Sequence, residues 1–367
     1  MTPEQAAEKY PWIKYDPTSH TIEMFLDHQM LSTLRTCEIK FVKEHIANIR
    51  PKGHRAWALV FGAWLHFCLE TYYEHIRTHD GKPPDPMAWL AYAKEKWVEL
   101  HIQAYANEDK FIDIGGWEGA CSLLVQYYAF YMEQRLRVVA CEIPFGFNRE
   151  VFLGDYIINI EGRPYRIRCY LTGRIDMLVD NGYMVGPVDH KHTHIFRGDE
   201  WDKFNPQDGI TGYIYATNQI LEKYYPGYNK PCLNGWIFHI QGHHAAKARK
   251  TGEIRPRFKV SRIDKMPSQL DDYAIRNVET FKRVADLLFN SKVPEWSTTA
   301  CHNIYNRDCE YLQIHKQPRE EWNYQIQTFY NITTPWNPNK PEESIIIRDD
   351  VMNAPEIKQE ETANVSK

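Results

Sequence analysis

Two apolar stretches carry a pair of aspartates and a lysine at spacings that suit phosphodiester chemistry. They are Leu171-Thr-Gly-Arg-Ile-Asp176-Met-Leu-Val-Asp180 and Val185-Gly-Pro-Val-Asp189-His-Lys191. Between them lies Asn181-Gly182, the strongest short-range signal for a two-residue type I′ hairpin. That turn sets Asp180 opposite Tyr183 and Asp176 opposite Pro187, with Asp189 diagonally across from Asp176 on one face. Diagonal neighbours in an antiparallel pair stand about 7–8 Å apart, within reach of one shared cation. Side chains alternate along a strand, so Lys191 projects on the same side as Asp189. Hard divalent ions such as Mg²⁺ take carboxylate oxygens. Such an ion activates water and neutralises charge on a phosphate, and an ammonium beside it steadies the water or that charge. The same residues also fit an ordinary hairpin with solvated charges. Pro187 lacks an N–H and points to a bulge or a sheet edge.

Further motifs occur along the chain in a definite order. Upstream, Phe61-Gly-Ala-Trp-Leu-His66-Phe-Cys-Leu-Glu70 places Gly62, His66 and Glu70 four residues apart, on one helical face. Glu142 follows in Val-Val-Ala-Cys-Glu-Ile-Pro-Phe, and Tyr213 in Pro206-Gln-Asp-Gly-Ile-Thr-Gly-Tyr213. Together these motifs resemble the PD-(D/E)XK nucleases, specifically their RecB-like exonuclease branch, over about Ser32 to His315. The resemblance implies an α/β fold: a mixed central β-sheet flanked by helices, restriction-endonuclease-like, with a helical lobe formed by both chain ends. It implies that His66, Asp176 and Asp189 hold Mg²⁺ or Mn²⁺, that Lys191 assists the water, and that Glu142 and Tyr213 support the site. The branch shows Gln-x-x-x-Tyr on the last of these helices. Here Gly209 stands four residues before Tyr213 and Gln207 comes two residues too early, which puts substrate positioning in question.

By this resemblance the chain is a metal-dependent deoxyribonuclease, an exonuclease of recombination, repair or phage DNA processing. Its partners would be DNA and other recombination or phage replication proteins. Two other readings stay open: a non-catalytic DNA- or protein-binding member of the fold, and a metal-dependent hydrolase of a small phosphoester.

Some members of the branch hold a [4Fe–4S] cluster with one N-terminal and three C-terminal cysteines. Cys37 in Ser32-Thr-Leu-Arg-Thr-Cys37 resembles the first, and Cys301 and Cys309 resemble two of the others, with His315 where the last cysteine is expected. An iron–sulfur cluster, a Zn²⁺ site and no metal all remain open for these residues. The other cysteines of the eight sit in apolar surroundings and read as buried thiols.

Composition agrees with a water-soluble enzyme. The chain has 367 residues, 43% of them apolar, enough to bury a large core. No apolar stretch approaches a membrane span, and the first residues lack the apolar run of a secretory signal. The expected location is the cytoplasm, that of the host if the gene is phage-borne. The net charge of −4 arises wholly from residues 341–367, so local basic segments decide any contact with nucleic acid. The candidate segment contains Lys247, Arg249, Lys250, Arg255, Arg257 and Lys259.

Periodicity predicts helices over 28–48, 56–79, 86–107 and 117–136, and strands over 138–146, 151–160, 164–179 and 183–191. A helix over 207–224, strands near 234–241 and 256–262, and a helix over 267–290 follow. The expected organisation is an N-terminal segment (1–30), a nuclease domain (31–335) and a disordered acidic tail (336–367). The nuclease domain divides into a helical lobe (31–137), a core (138–265), and a C-terminal helix with a candidate metal lobe (266–335).

Overall fold

The computed structural model describes residues 1–52, 57–106, 114, 116–132, 137–193, 208–224, 230–241, 257–295, 297 and 309–338. Helix α1 (Pro3–Lys9), capped by Thr2, leads into strands β1 (Ile13–Asp16) and β2 (Thr21–Asp27). Ile22, Glu23, Met24, Phe25 and Leu26 of β2 are all buried, the pattern of a strand covered on both faces. No element is expected over residues 1–27 from sequence. The apolar run is short, and periodicity alone cannot tell a buried strand of this length from a helix segment.

The expected helix over 28–48 is broken. Cys37 is extended, with φ −163° and ψ 112°, and separates α2 (His28–Thr36) from α3 (Glu38–Phe41), which runs into a π-turn at Val42–Ile46. Strand β3 (Ile49–Pro51) follows. Then come α4 (Trp57–Thr78), α5 (Pro86–Glu99), a 3₁₀ turn at Ile102–Tyr105 and α6 (Gly116–Met132). The strands β4 (Arg137–Phe145), β5 (Phe152–Ile160), β6 (Arg163–Asp180) and β7 (Val185–Thr193) lie close to their expected places. After them come α7 (Asp208–Tyr224), β8 (Asn234–Gln241), β9 (Arg257–Asp264) and α8 (Pro267–Phe289). The described chain closes with α9 (Leu312–His315), α10 (Trp322–Phe329) and β10 (Tyr330–Ile332).

Strand β6 is 18 residues long and organises the sheet. Its first half pairs in parallel with β2 and antiparallel with β5; its second half pairs with β4 and β7, both antiparallel. The sheet runs β1-β2-β6-β7-β8-β9, and β8 lies parallel to β7 across the α7 crossover. One core contains residues of α2 and α8 with Phe25, Ile167, Leu171 and Ile175. Another unites α4, α5 and α6 with Met177, Val179, Val188, Phe238 and Ile240. β3 pairs with β10, and Tyr311 Oη donates to the Ile49 carbonyl at 2.7 Å, which joins the segment after α3 to the last described residues.

The hairpin register differs from the sequence expectation. Its last pair is Asp180↔Val185, and Leu178, not Asp176, faces Pro187. Asn181 explains the longer loop: its Oδ1 accepts the N–H groups of Tyr183 and Met184, both at 2.9 Å. A side chain that satisfies two loop donors stabilises a wider turn in place of the two-residue one. The shift is two residues, so faces are preserved while partners change. Asp176 now lies level with Asp189, one step beyond the last pair, Met177↔Val188. Pro187 is on an interior strand, just before the β8 ladder begins at Val188↔Trp236.

A Cβ added at Gly186 of β7 would fall 2.6 Å from the Asn234 carbonyl oxygen and 2.7 Å from the Trp236 ring. We therefore expect Gly186→Ala to lower stability by about 1–3 kcal/mol in urea denaturation. Gly62→Ala, on α4 with nothing within 4 Å, is expected to raise it by about 0.4–1 kcal/mol.

Candidate metal centre and active site

Beyond Met177↔Val188 the β6–β7 ladder ends, and the His190 N–H no longer meets a β6 carbonyl. Asp176 takes that donor, its Oδ2 accepting from His190 N at 2.7 Å. The His190 Nδ1 lies 3.5 Å from the same oxygen, and its Nε2 is 3.3 Å from the buried Tyr73 hydroxyl. On the other side of β6, the pairs Cys141↔Met177 and Ile143↔Ile175 bracket Glu142 and Asp176 and set them side by side. Glu142 has φ +47°, a left-handed conformation that costs a non-glycine residue about 1–3 kcal/mol. Arg174 Nη1 lies 3.6 Å from its Oε2. Glu142, Asp176 and Asp189 thus stand level across three neighbouring strands.

Helix α4 brings His66 over this row. Its Nδ1 is 3.7 Å from Asp176 Oδ2 and 4.0 Å from Glu142 Oε1. The tryptophans on either side hold the helix: Trp64 Nε1 donates to the Ala93 carbonyl, and the Trp89 indole of α5 donates to the Cys68 carbonyl, each at 2.8 Å. Burial disfavours the imidazolium, but Asp176 and Glu142 outweigh it and push His66 up to about 9. Burial likewise opposes the Asp176 carboxylate, while His66 and His190 hold it well below the usual range.

Single ligand atoms of His66, Glu142 and Asp176 all lie within 4.8 Å of one another, and among the described residues this is the one such group. Two carboxylates and an imidazole fit a hard divalent ion such as Mg²⁺ or Mn²⁺. Asp189 lies on β7, one step beyond the pair Met177↔Val188 and level with Asp176. It is buried and receives Lys191 Nζ at 2.9 Å, instead of joining that group. Burial and the neighbouring Asp176 push the Asp189 carboxyl up, against the pull of Lys191. The Lys191 side chain is 45% exposed; burial opposes its charge, but Asp189 and Asp176 raise its pKa and keep it an ammonium. Tyr213 of α7 is subject to the field of the acidic row: burial first, then Asp189, Asp176 and Glu142, raise its phenol well above the ordinary value.

Directly paired residues share a face of the sheet, and Lys191↔His239↔Lys259 form one row across β7, β8 and β9. Burial, then Lys259 and Lys191, lower His239 to about 3 and leave it neutral. Lys259 is exposed at the outer end of the row. Lys247, Arg249, Lys250 and Arg255 lie outside the described residues, as does the side chain of Arg257.

In the cysteine lobe, Cys309 is raised by burial and, among other neighbours, by the nearby Cys37 thiol. Cys301 lies outside the described residues. His315 faces Lys43, and burial followed by that cation lowers it to about 4. Among the described residues no third metal-binding side chain joins Cys37 and Cys309. Sequence reasoning assigned no role to His190 or Arg174. Only the position of His190 inside the Asp-x-Lys run hinted at it.

A cation on Nδ1 of His66 must displace a proton at neutral pH, because the folded pKa is raised from 6.5 to about 9. In the metal-free protein the charged histidine stabilises the fold fully below about 6.5, and this contribution is lost as pH rises through about 9. We expect Mn²⁺ binding at pH 7 to release close to one proton and to tighten with pH up to about 9. Calorimetry in buffers of different ionisation enthalpy checks this; binding without proton release removes His66 from the ligand set.

No curated protein matches the chain. The crystal structure of SSO0001 is similar at 13% identity, covering 62% of this chain and 89% of its own, with a TM-score of 0.17. At that level the likeness bears on neither fold nor function. The model of the PD-(D/E)XK nuclease superfamily matches residues 28–314, which include every described residue of the site. The mixed sheet flanked by helices is the restriction-endonuclease-like core of that fold. With most of its length matched in this way, the chain belongs to the PD-(D/E)XK nuclease superfamily.

Proposed function

We propose that this nuclease is a Mg²⁺- or Mn²⁺-dependent exonuclease of the RecB-like branch that hydrolyses DNA in recombination, repair or phage DNA processing, in the cytoplasm of the cell or host. The observation that carries the reading is the meeting of His66, Glu142 and Asp176 around one point, with Asp189 holding Lys191 beside it. His66, Glu142 and Asp176 would hold the cation, with Asp189 completing the acidic row. The bound cation would supply Lewis-acid activation of water and neutralisation of phosphate charge. Lys191, fixed by Asp189 and kept protonated, donates to the attacking water or to the non-bridging phosphate oxygens as charge builds there. His190 and Arg174 orient the carboxylates and take no direct part. The Lys191–Lys259 row favours a polymeric substrate over a small phosphoester, since it extends cationic character from the site to the sheet edge.

The deciding experiment compares end-labelled linear DNA with closed circular DNA, in Mg²⁺ or Mn²⁺ and in EDTA. Linear DNA should shorten from its ends only with metal, and circles should survive. Asp189→Ala and Lys191→Ala should each lower turnover by about 10²–10³-fold in folded protein. Circles cut as fast as linear DNA would rule out the exonuclease. Variants that digest at the parent rate would rule out the site assignment. A protein that hydrolyses only a small phosphodiester would point to the other substrate class.

Lys259 offers an independent check of the substrate path. Lys259→Ala should weaken DNA binding and reduce the slope of log affinity against log salt by about one. Fluorescence anisotropy across a salt series reads it, and an unchanged slope excludes this lysine from the DNA path.

A further inference from the structure

His28 begins α2 immediately after Asp27, which caps that helix by accepting the Met30 N–H at 2.6 Å. β2 runs parallel to β6, and this register delivers His28 past Thr172, the partner of Asp27, toward the start of α7. A Cβ built on Gly209 would lie 3.4 Å from His28 Nε2 and 3.6 Å from its Cδ2. The imidazole therefore packs directly against the first turn of α7. Gly209 is one helical turn before Tyr213, so the two share a face of α7, and Tyr213 is the residue of that helix that senses Asp189, Asp176 and Glu142. His28 stands on the side of α7 that faces the site.

Three further observations point to a ligand. The ring is uncharged at neutral pH. Burial is the main cause of its lowered pKa; Arg35 and Lys191 add to it and Asp208 opposes, so the imidazole is neutral. A neutral imidazole keeps one N–H donor. Among the described residues the ring has no hydrogen-bond partner in the protein. Its surroundings are also held in place. Arg35 of α2 bonds Asp208 at the start of α7 and Asn277 of α8, and donates to Thr280 Oγ1 at 3.1 Å. Arg276 reaches the other Asp208 oxygen at 3.2 Å.

We propose that His28 binds the substrate phosphate at the start of α7, donating its ring N–H to a non-bridging oxygen. This rests on the nuclease reading above and adds a substrate-contacting residue to it.

The test uses the full chain and linear DNA with Mn²⁺. His28→Ala should reduce kcat/KM by about 10²-fold, with melting temperature and calorimetric Mn²⁺ affinity unchanged, because His28 is not a ligand. His28→Gln keeps an N–H donor and should stay within about tenfold of the parent. The double variant His28→Ala/Gly209→Gln should recover part of the loss, since its amide enters the vacated space from the opposite wall. An active parent whose His28→Ala variant cleaves at the parent rate overturns this inference alone. Equal loss in His28→Ala and His28→Gln, with lowered melting temperature, also overturns it, because that pattern belongs to packing. A parent with no metal-dependent cleavage of DNA overturns both this inference and the reading beneath it.

Discussion

The carboxylate of Asp176 does two jobs that cannot be separated. It accepts the N–H of His190 where the β6–β7 ladder ends, and it faces His66 from α4. A buried N–H without a partner costs about 1–3 kcal/mol, so the strands can splay at this point only because an ionised acceptor is present. The fold and the candidate metal centre therefore share one interaction, and the low pKa of Asp176 is its electrostatic signature.

Everything that positions this carboxylate traces to β6. Its first half is locked between β2 and β5, and its second half between β4 and β7, so the site residues Arg174 and Asp176 lie just past the junction. A Cβ on Gly173 would sit 2.8 Å from the Phe145 ring, which shows how closely β4 is pressed against the strand at that junction. The cores on the two halves are packed by different helices, which lets α4 present His66 while α7 presents Tyr213. His190 links the centre to the first of these helices through Tyr73, whose hydroxyl also meets that of Tyr127.

Contacts away from the centre tie α2 and α3 to the helices behind the sheet. Arg283 of α8 grips Glu38 of α3, with Nη2 to Oε2 at 2.6 Å, and Arg35 ties α2 to α7 and α8. The β3–β10 pairing brings in the described C-terminal segment. These contacts do not touch the acidic row; those of Arg35 hold α2, the helix that begins at His28, against α7 and α8.

What the sequence by itself determined is the set of groups and the elements that carry them. Alternation over 138–146 and 164–191 and four-residue spacing around His66 express backbone geometry, which is local. Helix and strand periods place Glu142, Asp176, Asp189, Lys191, His66 and Tyr213 on their elements without reference to the rest of the chain. Tertiary structure alone decided who meets whom. The hairpin register followed from Asn181 satisfying two loop donors, a competition that the dipeptide Asn-Gly does not reveal. The approach of His66 to Glu142 and Asp176 joins α4 to β4 and β6, elements far apart along the chain. The parallel docking of β2 on β6 and the meeting of His28 with Gly209 join segments distant in sequence. Such contacts are governed by packing and loop closure, so no local pattern of residues can record them.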